Sequence, residues 1–281
     1  MVWSCLVSIL PGMAQTEKLT DYVNPFVGTD GYGNVYPGAQ IPFGGIQISP
    51  DTDSRFYDAA SGYKYNHLTL MGFSLTHLSG TGIPDLGDFL FIPGTGEMKL
   101  EPGTHEDPDQ GYRSRYSHDK EWASPNYYAV ELADYGVKAE MTSGVRSGMF
   151  RFTYPESDNA FIMIDMNHTL WQSCEWSNLR MINDSTITGY KLVKGWGPER
   201  HVYFTATFSK KLTGLRFVQD KKPVIYNTSR FRSSYEAWGK NLMACISFDT
   251  KAGEEVTVKT AISAVSTDGA RNNTVSYTHL R

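Results

Sequence analysis

Cysteine is nearly missing from this 281-residue chain, which has only Cys5, Cys174 and Cys245. Three scattered thiols give neither zinc-ligand spacing nor a disulfide framework, and a Cys174–Cys245 bridge has no geometry in the sequence to support it. Surplus positive charge is also missing: 26 Lys and Arg face 30 Asp and Glu, a formal charge of −4. That balance removes the electrostatic case for a nucleic acid or an anionic membrane as partner. No stretch beyond the N-terminus approaches the ~20 apolar residues of a membrane helix, so no membrane span is expected. The seven histidines never fall in His-x-x-x-His or His-Glu-x-x-His spacing, and Asp51, Asp53 and Asp58 do not make an EF-hand loop. No metal site is therefore assigned within the chain. The Gly-x-Gly pairs at Gly31/Gly33, Gly80/Gly82 and Gly94/Gly96 lack the third glycine of a dinucleotide fingerprint, and no phosphate-loop lysine follows them. Ser79 has His77 where a nucleophile elbow needs glycine, which argues against a serine hydrolase.

What is present is enough apolar material, 40% of residues, for one large domain with a sizeable core. Aromatic residues reach 13%, with 17 Tyr and 6 Trp, more than a core alone usually requires. Strand packing accounts for most of them, and an outward-facing subset would suit the flat apolar face of a sugar. The first fourteen residues join an apolar run, Val2 to Leu10, to Pro11-Gly12-Met13-Ala14. Small residues after an apolar run read as an export signal over 1–14, although the basic leading segment is missing. The expected location is secreted or periplasmic. Sequons at Asn167, Asn183, Asn227 and Asn272 carry weight only in a eukaryotic secretory pathway.

Strand-like alternation recurs from Gly45 onward. It is clearest where Val202, Phe204, Ala206 and Phe208 alternate with Tyr203, Thr205 and Thr207, and Met149–Tyr154 and Val256–Ile262 read similarly. Further strands are expected over 46–48, 89–92, 128–133, 137–141, 161–165, 186–193, 215–218 and 243–248, separated by turns such as Tyr135-Gly136 and Asn183-Asp184. The fold class is all-β: an antiparallel two-sheet β-sandwich with long loops and few short helices, one of them expected around Ser233–Lys240. Residues 24–64 and 101–126 break the rhythm with glycine, proline and charge, and long irregular segments on a β scaffold commonly carry ligand contacts.

Two segments suggest chemistry. Ser54–Tyr65 sets Phe56, Tyr57 and Tyr63 beside Arg55 and Asp58, which suits a hexose with its apolar C–H face and fringe of hydroxyls. Thr76–Gly82, between two strand-like runs, is loosened by Gly80 and Gly82 so that it can offer His77, Ser79, Thr81 and Asp85 to a polar ligand. The structural alternatives are core rings at Phe56 and Tyr63, a buried His77 bonded to backbone, and a tight strand connection over 79–82.

Asn24-Pro25-Phe26-Val27-Gly28-Thr29, Asn34-Val35-Tyr36-Pro37-Gly38-Ala39, Ile41-Pro42-Phe43-Gly44, Ser49-Pro50-Asp51-Thr52, Ser61-Gly62-Tyr63 and Gly72–Gly82 together closely resemble the N-terminal domain of family 92 glycoside hydrolases. The resemblance runs over 21–270 and implies a supersandwich-like N-terminal domain of an exported, calcium-dependent exo-α-mannosidase acting on α-mannoside glycans. In that family the active site lies between this sandwich and a C-terminal (α/α)₆ barrel. The inverting acid and base and most Ca²⁺ ligands would then belong to the barrel, so no carboxylate here is named catalytic. This chain would supply the other wall of the pocket, through Tyr57, Asp58, His77, Ser79, Gly80 and Thr81, and would be inactive alone. At Tyr57 many relatives carry tryptophan before the aspartate, and at Ala60 often cysteine; tyrosine would keep a stacking surface and add a hydroxyl, which bears on linkage preference. Residues 274–281 do not resemble the helical linker to the barrel, and 271–281 are expected as a truncated or non-native tail. A stand-alone carbohydrate-binding module is the alternative reading.

Overall fold

A computed structural model describes residues 17–54, 59–225 and 236–275. Among these, seven antiparallel strands form one sheet, in the order Ser49–Asp51 (β1), Gly72–Ser74 (β3), Leu90–Thr95 (β4), Ser157–Asp165 (β10), Leu242–Thr250 (β17), Gly214–Gln219 (β14), Lys222–Pro223 (β15). Nine more form a second sheet: Glu236–Gly239 (β16), Ser173–Asn183 (β11), Thr186–Lys194 (β12), Arg200–Phe208 (β13), Glu254–Ser263 (β18), Ser147–Tyr154 (β9), Val137–Ser143 (β8), Tyr127–Leu132 (β7), Glu121–Ser124 (β6). A short ribbon pairs Thr69–Leu70 (β2) with Ser114–Arg115 (β5).

The sheets face each other across one core. Ring centroids of Phe91 and Phe150 meet at 4.9 Å, and those of Phe89 and Phe204 at 4.4 Å, joining the two layers. In β10, Ile162 and Ile164 enter that core, whereas Phe161 and Met163 enter a second cluster with Met71, Tyr112 and Met243. A strand buried on both faces reads as a continuous apolar run, as Phe161–Ile164 does. Strand β13 instead alternates, with Val202, Phe204, Ala206 and Phe208 all buried, and Thr205 is the one residue of its other face that is buried too. The all-β sandwich expected from periodicity is the architecture found.

Several local details differ from the sequence reading. The described part of the helix expected around Ser233–Lys240 is extended: Glu236–Gly239 is a strand paired with Ser177–Arg180, and residues 233–235 lie outside those described. Tertiary pairing has overridden local preference in that segment. The strand expected at 46–48 begins at Ser49, with Ile48 making only an isolated bridge to Ala39. Strand β11 had no clean alternation to announce it, because bulges at Cys174/Trp176 and Met181/Asn183 break its register. Cys174 and Cys245 are buried free thiols, not a bridge. A helix, Thr267–Val275 (α1), lies against β18 and β13 with Ala270 buried, and Asn273 Nδ2 donates to Ile262 O at 2.8 Å. Residues 271–275 of the expected tail belong to that helix, and the rest of the tail, like the expected export signal, lies outside the described residues.

Candidate functional site

Strand β3 ends at Ser74 and β4 begins at Leu90, and the segment between them is fastened at both flanks. Thr76 Oγ1 donates to Asp88 Oδ2 at 2.7 Å while accepting from Asp88 N at 3.0 Å. His77 lies with Nδ1 2.8 Å from Gln47 O and Nε2 2.8 Å from Asp51 Oδ1. Ser74 Oγ lies 3.1 Å from the same Nε2, so both ring nitrogens are engaged. Gly80 N donates to Asn34 O at 2.7 Å, tying the loop tip to the segment that carries Asn34-Val35-Tyr36. Gly80 has φ +73°, a conformation glycine adopts without strain.

Beneath this loop runs a continuous buried polar chain. Asp51 Oδ2 accepts from His168 Nε2 at 2.8 Å, and His168 O accepts from Lys191 Nζ at 2.6 Å. Lys191 Nζ lies 3.1 Å from Asp88 Oδ1, and Arg200 meets the same carboxylate at 2.5 and 3.2 Å. The side chains of Asp51, Asp88 and Lys191 are wholly buried. Burial pushes both carboxyls up, yet His77 and His168 at Asp51, and Lys191 and Arg200 at Asp88, hold them well below the usual carboxylate range. Asp85 completes the chain, accepting from Leu86 N and Trp196 N at 2.6 and 3.0 Å.

Gly62, inside the Ser61-Gly62-Tyr63 motif, is required by this chain. It has φ +88°, and a Cβ there would fall well inside contact distance of Asp51 Oδ1. Gly62→Ala should therefore cost about 1–3 kcal/mol, from a strained backbone plus displacement of Asp51, and a urea midpoint reads it directly.

Of the site residues expected from sequence, the structure brings His77, Ser79, Gly80 and Thr81 together on this one loop. His77 is 3% exposed, Ser79 and Gly80 are exposed, and Thr81 is half-buried, its hydroxyl donating to Ile83 O at 3.2 Å. Tyr57 and Asp58 lie outside the described residues. Among the residues at positive φ are the bulky Phe43, Leu86, Phe89 and Trp171, and Leu86 O accepts from Leu170 N, next to Trp171, at 3.0 Å. Non-glycine residues are held there only when their surroundings over-determine them, and such positions cluster at functional sites. Two cavities flank this region, one of 890 Å³ lined by Asp165 and Trp171 and one of 550 Å³ lined by His77, Leu78 and Val265.

The description "Glycosyl hydrolase family 92 N-terminal domain" matches residues 22–263. The chain belongs to that family. A solved family GH92 α-mannosidase from Bacteroides thetaiotaomicron is 97% identical, with a TM-score of 0.92, over 96% of this chain and 36% of that one. A second GH92 family glycosyl hydrolase structure matches at 26% identity and a TM-score of 0.76, over 93% of this chain and 35% of its own. An uncharacterized secreted glycosidase of Arthroderma benhamiae is 30% identical over 139 residues, 49% of this chain and 17% of that protein. This family 92 domain thus spans about a third of the solved enzymes it matches.

The described residues do not fit a calcium ion. Among them no group of three or more His, Cys, Asp or Glu could hold a metal, and Asp51 and Asp88 already face cationic donors. Asp53 is engaged by His105 at 3.2 Å. Sequence reasoning missed His168, Lys191, Arg200 and Trp171 in this family 92 domain. The one sequence signal near His168 and Trp171 was the polar break Asn167-His168-Thr169 between two strands. Lys191 sits inside a strand, where an isolated lysine reads as solvated.

Proposed function

We propose that this family 92 domain is the N-terminal part of an exported, calcium-dependent exo-α-mannosidase that inverts anomeric configuration. Its loops would form one wall of the substrate pocket. The observation that carries the reading is the 97% identity, across nearly the whole chain, to an enzyme described as a family GH92 α-mannosidase. The secreted A. benhamiae relative supports export, and the described residues include no helix long and apolar enough to cross a membrane.

In this reading Ser79, Gly80 and Thr81 face the α-mannoside, with Tyr57 and Asp58 completing the wall. His77 acts one step back, holding the loop through Asp51 and Gln47. The acid, the base and the calcium ligands reside in the C-terminal (α/α)₆ domain, since the buried carboxylates of the site are spent on internal cations. The 550 Å³ groove, lined by Leu78, Leu86, Val202, Ile262 and Val265, offers that domain an apolar seat.

Mannose release from α-mannobiose with added Ca²⁺ tests the proposal. The purified 281-residue chain should give only background, and the same chain joined to the remaining two-thirds of the B. thetaiotaomicron enzyme should turn over. Turnover by the chain alone would overturn the division of labour. A folded joined protein without mannose release would overturn the mannosidase reading itself.

A further inference from the structure

Asp85, four residues after Thr81, is offered to a polar ligand by the sequence, yet the structure turns it inward. It is 5% exposed, and its two oxygens serve two different elements. Oδ1 accepts from Leu86 N at 2.6 Å, inside its own loop, and Oδ2 accepts from Trp196 N at 3.0 Å, in the turn between β12 and β13. Gly195 N donates to Gly197 O at 3.0 Å and closes that turn. A Cβ on Gly195 would fall 2.8 and 2.9 Å from the two Asp85 oxygens, so turn and carboxylate are seated directly against each other.

This contact reaches the rest of the loop because the chain on either side of Asp85 has little freedom. Pro84 has a fixed φ, and its carbonyl accepts from Gln172 Nε2 at 2.9 Å. Thr81 Oγ1 donates to Ile83 O at 3.2 Å, so a short, stiff link joins Asp85 to Ser79–Thr81. On the other side Leu86, Gly87 and Phe89 hold φ +74°, +75° and +58°. Leucine and phenylalanine take such values only where their surroundings over-determine them. At Leu86 that determination comes from Asp85 Oδ1 on its N–H and from Leu170 N, which donates to its carbonyl at 3.0 Å. Arg200, at the start of β13, lies 3.9 Å from Asp85 and also pairs with Asp88, so the hairpin grips the loop at two carboxylates.

We infer that Asp85 is a positioning residue for the pocket wall. It locks the β12–β13 turn to the Ser79–Thr81 loop, so the two move as one body and the stance of the loop is set from the nine-stranded sheet. The inference rests on the reading that Ser79–Thr81 face the α-mannoside. A group that only shapes a binding wall stabilises ground state and transition state alike, so its loss raises KM and spares kcat.

Two substitutions approach the contact from opposite sides. Asp85→Asn leaves one oxygen for two backbone donors; the nearer, Leu86 N, keeps it, and the link to the turn is severed. Gly195→Ala leaves Asp85 in place and pushes the turn away from it. In the chain joined to the remaining two-thirds of the B. thetaiotaomicron enzyme, each should raise KM for α-mannobiose about five- to tenfold with kcat within about twofold. Combined, they should do no more than either alone, because both break one contact. In the 281-residue chain, hydrogen exchange should show the Trp196 amide and the Gly80 amide, which donates to Asn34 O, losing protection in both variants, with the Leu86 amide unchanged in Asp85→Asn. Wild-type KM in both variants, or a fall in kcat at constant KM, would sink the inference and leave the mannosidase reading intact. A folded joined protein that releases no mannose removes that reading instead, and exchange in the 281-residue chain then decides: unchanged protection at Gly80 in both variants refutes the coupling.

Discussion

Asp88→Ala should destabilise the domain by about 3–5 kcal/mol, enough to leave much of it unfolded at physiological temperature. The reason is what the substitution strands. Lys191 Nζ has a wholly buried side chain, with Asp88 Oδ1 at 3.1 Å, His168 O at 2.6 Å and the Phe89 ring centroid at 5.3 Å. Without the carboxylate, the ammonium keeps one carbonyl and one ring face in an apolar setting. Arg200, a quarter exposed, can turn to solvent or toward Asp85, from which it now lies 3.9 Å, so its share of the loss is small. Thr76 also loses its acceptor, which frees one flank of the Ser79–Thr81 loop.

A double substitution separates a stranded charge from a lost cross-link. Asp88→Ala with Lys191→Met removes both buried charges, and apolar replacement of a buried pair is often close to neutral. Chemical denaturation should therefore show the double variant recovering more than half of the single variant's loss. A double variant as unstable as Asp88→Ala would place the cost in the Thr76 and Arg200 contacts instead.

The same residues show what the sequence could and could not reveal. Strand β13 was legible because a strand with one face on the core must alternate, and Val202, Phe204, Ala206 and Phe208 do. The loop at 76–82 was legible as a loop through its glycines, and the family resemblance implied a pocket wall there. Its support was not legible. Asp51 takes its partners 26 and 117 residues away, at His77 and His168, and no local pattern encodes a pairing at that separation. Lys191 reads as a solvated lysine within a strand and is in fact wholly buried, since Asp88 reaches it from the loop that leads into β4. The helix expected around Ser233–Lys240 failed for a related reason: β16 owes its extended form to Ser177–Arg180, distant in sequence.

Asp51→Asn should cost about 3–5 kcal/mol near neutral pH, and that cost should shrink in acid. The amide keeps the shape but replaces one of the two carboxylate oxygens that face His77 and His168 with an N–H donor. The pH dependence follows from the direction of the shift. The folded carboxyl is held well below the unfolded value of about 3.9, so below that value the unfolded chain takes up a proton that the folded chain refuses. The stabilisation is complete above about pH 5 and is lost progressively as pH falls toward the folded value. The amide of the variant has no such proton to refuse, so the gap between wild type and variant should narrow as the pH drops from about 5 to about 2.5 in a urea series. Asp88 titrates in the same sense in both proteins and cancels from the comparison. A gap that stays constant across that range would mean that Asp51 contributes through shape alone. The hold on His77, and through it on Ser79–Thr81, would then be indifferent to charge.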